Sequence, residues 1–178
     1  MSPDAPLVFL SRVERIKGAH TAIAACRQAG RRLIIAGNHA DDDSANGRYW
    51  REEIAPHLGR DRIEYAGEVN DAQKDALLGR AAALIVPIEW EEPFGIVFAE
   101  ALACGTPIIS CRRGALPEIV VDGIHGFLSE NLEQVIDSIS RIQSLDRQKC
   151  RERAVTAFSA EANVAKYEEL YQALTKEW

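Results

Sequence analysis

"ALIVPIEWEEPFGIVFAEALACGTPIIS", residues 83 to 110, runs from one apolar segment through a polar loop and a helical stretch into a second apolar segment. "ALIVP" (83–87) reads as a strand, Phe94 to Cys104 as a helix and "PIIS" (107–110) as the next strand. Strand, helix and strand in succession imply a right-handed crossover between parallel neighbours. Within this unit Glu92 stands just before Pro93, and Glu100 follows inside a small, apolar run. A helix packed on a core has little use for an acid in its middle. The two glutamates therefore need another explanation.

The pattern repeats on both sides. Strand-like runs appear at "LVFL" (7–10), "RLIIAG" (32–37) and "IEYAG" (63–67), and "GFL" (126–128) adds a sixth short one. Helical spacing fills Ala19 to Ala29, Tyr49 to Leu58 and Asp71 to Arg80. This alternation predicts an α/β fold, a parallel sheet with helices on both faces. After Glu130 the pattern is helix only, ending in the amphipathic "AEANVAKYEELYQALTKEW" (160–178). No repeat or linker divides the chain, so residues 1–178 are expected to form one domain. The polar "NHADDDSANG" (38–47) reads as a loop, its Asp41, Asp42 and Asp43 as a solvated turn.

Composition narrows the functions. The apolar fraction of 47% and charged fraction of 27% are those of a globular protein. A net charge of -6 argues against nucleic acid as a partner. No apolar stretch approaches the ~20 residues of a transmembrane helix, and "MSPDAPLVFL" lacks the regions of a signal peptide. Cys26, Cys104, Cys111 and Cys150 form no metal-ligand spacing and read as reduced packing thiols of a cytoplasmic protein. With the histidines also scattered, no metal site and no cofactor is expected.

Ligands of such sheets bind at the carboxyl ends of the strands. Four loops lie there: "SRVERIKG", "GEVNDAQK", "IEWEEPFG" and "CRRGALPE". Neither the dinucleotide fingerprint nor the P-loop occurs. Pro93 suits a first helical position, so "PFGIV" reads as a first helical turn whose free N–H groups suit phosphate. Gly95 lets a phosphate approach closely, and Arg12 and Lys17 supply cations for a diphosphate. Glu92 then sits at the mouth, with Glu100 about 9 Å further along the helix, counted from Phe94. Carboxylates accept from paired hydroxyls, so Glu100 suits a ribose and Glu92 a transferred sugar. The ligand that satisfies all of them is a nucleotide-sugar.

At these residues the chain resembles the retaining glycosyltransferases of family 4, the group 1 glycosyl transferases. "EPFGIVFAEALACGTPII" is similar to their E-x7-E signature and "SRVERIKG" to their basic loop; "YAGEV" and "GALPEIVVDGIHGFL" follow in the usual order. The resemblance implies a Rossmann-like domain, the C-terminal donor-binding half of a two-domain GT-B enzyme. It implies retaining transfer of a hexose-type sugar from a nucleoside diphosphate to a glycan, lipid or small-molecule acceptor, usually without an essential metal. By the same resemblance Arg12 and Lys17 hold the diphosphate and Glu100 the ribose. Glu92, Phe94, Gly95, Ile96 and Val97 take the sugar and phosphates, and Val69 lies where the family holds the base. Glu92, Arg12 and Lys17 are the catalytic candidates. Front-face attack is implied, with the diphosphate leaving group taking the acceptor proton. An N-terminal GT-B domain, in cis or trans, would complete the enzyme, which is expected to be cytoplasmic or peripheral to a membrane. Ser11 departs from the family's usual glycine, and the acceptor half is absent from these residues.

Plainer readings stand beside these. Glu92 alone would be a helix N-terminal acid, and Arg12, Lys17, Lys74, Arg112 and Arg113 alone would be surface charges. Trp90 reads first as packing and His125 as structural. A glycoside hydrolase also uses two carboxylates but has no need of cations aimed at a diphosphate. A non-catalytic nucleotide-sugar binding or regulatory module is the principal alternative.

Overall fold

Leu7–Leu10 (β1) and Ala83–Val86 (β4) are buried along their whole length, which is why they read as unbroken apolar runs. In the computed structural model, which describes residues 4–175, they are neighbours at the centre of a six-stranded sheet. The other strands are Leu33–Ala36 (β2), Ile63–Gly67 (β3), Ile108–Cys111 (β5) and Gly126–Ser129 (β6). The order is β3-β2-β1-β4-β5-β6 and all pairings are parallel. The α/β sheet expected from the alternation is thus present, with all six strands where the apolar runs lie.

Helices cover both faces. They are Ala19–Gln28 (α1), Ala45–Tyr49 (α2), Asp71–Arg80 (α3), Ile96–Ala103 (α4), Leu116–Ile119 (α5), Leu132–Arg141 (α6), Arg147–Phe158 (α7) and Ala160–Thr175 (α8). α1 packs with α6, and α4 with α7. The chain runs outward from β1 through β2 to β3, returns to β4, and then continues the other way. The strand order therefore reverses between β1 and β4. That reversal opens a crevice at their carboxyl ends, where the loops following the two strands diverge.

Two helix boundaries and the exposure of the last helix differ from the sequence reading. The helix expected over 49–58 starts earlier, at Ala45, because the Ser44 side chain caps it by accepting from the Gly47 N–H at 3.2 Å. It then widens into a π-helical turn over Trp50–Ile54 and tightens over Ala55–His57, where Pro56 has no N–H to donate. The helix expected from Phe94 starts at Ile96 instead. Gly95 caps it at φ 75°, a left-handed conformation outside the helix. A Cβ there would stand 2.5 Å from the Phe98 ring, so only glycine fits the turn. Finally, α8 has no buried residue: Val164, Tyr167, Leu170, Tyr171 and Leu174 are all more than half open to solvent. These five residues do not join the core, and the last three residues of the amphipathic stretch lie outside the described ones.

The four cysteines are free thiols. Burial pushes Cys26 up to about 12 and Cys150 up to about 11, as expected of packing residues. Arg147, at the start of α7, ties the second face together. Its guanidinium donates to the carbonyls of Gly79 in the last turn of α3 and Ala81 just past it, to the Cys104 carbonyl beyond α4, and to the Thr106 hydroxyl, all within 3.3 Å. It meets two helix C-termini, where acceptors are orphaned and the dipole favours a cation. Arg147→Met keeps the stem but orphans these acceptors. It should lower stability by roughly 2–4 kcal/mol, the scale of one or two lost charged hydrogen bonds, read as a shifted urea midpoint; Arg147→Lys should recover part of the loss.

Candidate functional site

The crevice between β1 and β4 is where the candidate residues meet. Lys17 ends a short 3-10 turn, Arg15–Lys17, in the loop after β1. Glu92 lies in the loop after β4. Their side chains bond across the crevice, Lys17 Nζ to Glu92 Oε2 at 2.6 Å, with both side chains about nine-tenths buried. The Trp90 indole N–H donates to the same oxygen at 3.0 Å, and the Lys17 ammonium lies 4.5 Å from the centre of the Trp90 ring. Trp90, which reads from sequence as packing, is thus part of this cluster. A cleft of about 370 Å³ opens onto the pair, lined also by Ser11, Phe94, Gly95, Ile96 and Val97.

The loop after β4 is clamped from both sides. On the β1 side, the Glu89 N–H donates to the Ile16 carbonyl at 2.8 Å. His20, in the first turn of α1, joins Glu89 at 2.9 Å and the Tyr49 hydroxyl at 2.9 Å. Burial pushes that hydroxyl up to about 12, so it stays a neutral partner. On the β5 side, the Ala115 N–H donates to the Glu92 carbonyl at 2.8 Å, and the Gly114 N–H to Glu91 Oε2 at 2.5 Å. Gly114 has φ 53°, and a Cβ on it would stand 2.2 Å from the Glu92 carbonyl oxygen. The sequence reading leaves Gly114 unassigned. The signal that identifies it is a glycine in the loop after β5, within reach of the crevice.

The remaining candidates spread outward. Arg12 is not in the Lys17 cleft; its side chain is 61% exposed, bonds Glu14 at 2.8 Å and lines a neighbouring cleft of about 220 Å³ with His39 and Asn46. Glu100 lies one turn into α4 from Ile96, on the same helix face. It accepts from Lys74 of α3 at 2.5 Å, a hydrogen bond that raises the Lys74 pKa. The shorter helix places Glu100 about 6 Å from the first turn at ~1.5 Å per residue, rather than 9 Å. Val69, in the loop after β3, is half-buried against the core. Arg112 and Arg113 are half-exposed and face Asp122 and Glu91 at 3.6 and 4.0 Å. They line a second cleft of about 370 Å³ beyond the loop after β4, together with Glu89 and Asn131. That cleft is bordered also by Pro87 and Ile88 just after β4 and by Thr21 of α1, and its Arg113–Glu91 pair is exposed rather than buried. His125 accepts from the Val121 N–H through Nδ1 at 3.2 Å, a structural role. Among the described residues no group of three or more His, Cys, Asp and Glu could hold a metal ion.

Fold and crevice together define a Rossmann-like α/β domain with a cleft at the reversal of its strand order. The family profile of the glycosyl transferases group 1 matches residues 3–157, and the chain belongs to that family. It is 34% identical over 127 residues to a glycogen synthase of Mycobacterium tuberculosis, covering 68% of this chain and 29% of the relative. It is 32% identical over 146 residues to a D-inositol 3-phosphate glycosyltransferase of Mycolicibacterium smegmatis, covering 80% and 33%. The chain spans about a third of the length of these relatives. Among solved structures, sucrose-phosphate synthase of Thermosynechococcus elongatus superposes with a TM-score of 0.79 at 30% identity, over 100% of this chain and 47% of that one. The neighbouring folds are GT-B glycosyltransferases, and this Rossmann-like domain corresponds to about half of such a chain.

The buried pair makes a sharp stability prediction. Lys17→Ala leaves Glu92 buried without its cation and should cost roughly 3–5 kcal/mol. Lys17→Met with Glu92→Leu removes both charges and should be less destabilised than Lys17→Ala alone. Urea titration of the three proteins checks the order, and a neutral Lys17→Ala would show that Glu92 is satisfied by other groups.

Proposed function

We propose that this chain is the donor-binding domain of a retaining glycosyltransferase and takes a nucleoside-diphosphate sugar. The observation that carries the reading is the Lys17–Glu92 pair at the strand reversal, facing the first turn of α4. A basic group, free backbone N–H groups and a hydroxyl-accepting carboxylate share one cleft there. A diphosphate lies against the α4 N–H groups and Lys17, where the helix dipole and the ammonium both favour negative charge. Arg12, on the same loop, reaches in from its exposed position. Glu92 accepts from a hydroxyl of the sugar, and Gly95, Ile96 and Val97 border it. Glu100 accepts from the ribose while still held by Lys74, and Val69 borders the base.

Lys17 then has two anionic neighbours, Glu92 and the diphosphate. As the sugar–oxygen bond breaks, charge grows on the leaving diphosphate. The ammonium and the α4 N–H groups are already oriented toward it, so they stabilise that charge without reorganising. Retention with no protein nucleophile follows if the leaving group accepts the acceptor's proton on the face it departs from. No metal or cofactor has a part in this scheme. The acceptor, a glycan, lipid or small molecule, is supplied by a second domain in cis or trans. The names of the relatives, a glycogen synthase, a D-inositol 3-phosphate glycosyltransferase and a sucrose-phosphate synthase, support sugar transfer and leave the acceptor open. The free cysteines suit a reducing compartment such as the cytoplasm.

Thermal shift with UDP, GDP, ADP and their hexose conjugates identifies the base, because a ligand that binds only the folded state raises its melting temperature. Calorimetry with EDTA should leave that affinity unchanged. Glu100→Gln should weaken diphosphate and sugar nucleotide alike, whereas Glu92→Gln should weaken chiefly the sugar nucleotide. Equal losses of plain diphosphate in both variants contradict the division of roles. A second expectation concerns catalysis: residues 1–178 alone should bind donor but transfer sugar negligibly, and an added acceptor domain should restore transfer. Acceptor-dependent turnover of labelled sugar by the isolated chain overturns it.

A further inference from the structure

The crowding around one carboxylate oxygen goes beyond the roles proposed so far. Lys17 Nζ and Trp90 Nε1 both end on Oε2 of Glu92, at 2.6 and 3.0 Å. Among the described residues no hydrogen bond reaches Oε1. The two donors come from different loops, and neither can accept a hydrogen bond in return. Trp90 and Glu92 are two residues apart, and the following Pro93 disfavours a helical backbone at Glu92.

We propose that Trp90 is the positioning residue of Glu92. Its indole N–H and the Lys17 ammonium together fix Oε2, which leaves Oε1 as the atom presented to a hydroxyl of the transferred sugar. The same ring offers its face to the ammonium, so Trp90 holds both members of the pair. The pair is buried, and a charged hydrogen bond strengthens where water is excluded. A lysine alone would leave the carboxylate free to turn about its Cγ–Cδ bond, because an ammonium is a compact charge with no fixed fork. The second, rigid donor removes that freedom. Trp90 therefore does not touch substrate in this scheme; it decides which oxygen does.

This inference rests on the donor-site reading, and the experiment separates the two. Calorimetry on the full chain compares UDP with UDP-glucose, GDP with GDP-mannose and ADP with ADP-glucose, for wild type, Trp90→Phe, Glu92→Gln and the double variant. Phenylalanine keeps an aromatic ring beside Lys17 while removing the N–H and the smaller ring that carries it. Trp90→Phe should weaken the sugar nucleotide about tenfold, the scale of one charged hydrogen bond, and change the plain diphosphate by less than about twofold. In the Glu92→Gln background the same substitution should have almost no further effect, because it acts through the carboxylate. Equal loss of both ligands, no loss of either, or additive effects in the double variant would overturn the positioning role while leaving the donor site intact. Failure of the wild type to bind any of the six ligands would instead remove the donor-site reading, and this inference with it. Should Trp90→Phe not fold, the Trp90 indole proton in 15N-labelled protein reads the contact directly. It should shift on Glu92→Gln, and an unmoved resonance overturns the proposal.

Discussion

The buried bond between Lys17 and Glu92 is the constraint on which the rest of this crevice depends. It joins the loop after β1 to the loop after β4, the two strands between which the chain reverses direction. Two charges with about nine-tenths of each side chain buried lose most of their hydration. In general such a pair gains little net stability over apolar residues of the same shape, while breaking it is costly. The pair is therefore weakly explained by stability and better explained by geometry. With the Glu89 to Ile16 backbone bond it holds the two loops in register, and it places an acid and a base on one cleft. The clamps around it act in the same direction. Gly114 and Ala115 press on the Glu92 peptide from β5, and Ile16 and His20 hold Glu89 from β1.

The sheet was legible in the sequence because β1 and β4 are buried on both faces, which forces unbroken apolar runs. The family signature was legible for a related reason: Glu100 is anomalous in an apolar helix, with Glu92 just before the proline that precedes it, and an anomaly in a strong pattern is visible. What was not legible is pairing between distant residues. Lys17 and Glu92 are 75 positions apart and Lys74 and Glu100 are 26 apart, so no local period links either pair. The start of α4 was misplaced because Pro93 is a good first helical residue in isolation. The left-handed Gly95, demanded by the Phe98 ring beneath it, overrides that preference. Ser44 was hidden as a cap because it sits in a polar tract that reads as loop throughout. Trp90 looked like packing because a ring beside a charged residue has no sequence period of its own.

The two glutamates of the signature share a pattern that neither shows alone. Each is held by a lysine from a neighbouring loop or helix, Glu92 by Lys17 and Glu100 by Lys74. The first pair is buried and the second about one-quarter to one-third exposed, so they differ in how firmly they are fixed. An acid already held in place loses less conformational entropy when a ligand arrives. The same holding limits where that acid can reach. In both respects the crevice is organised before anything enters it.

Self-pairing has a kinetic side. With each glutamate matched by a lysine, these four groups carry no net formal charge, and the chain around them carries -6. Any phosphate-bearing molecule thus approaches a surface whose long-range field is, on balance, repulsive. Electrostatic steering, which can raise association rates by factors of roughly ten to a thousand, gains nothing from that net charge. Capture must come from contacts made within a few ångströms, after arrival. Added salt, by screening that repulsion, would then speed encounter rather than slow it, the reverse of what an open basic groove does.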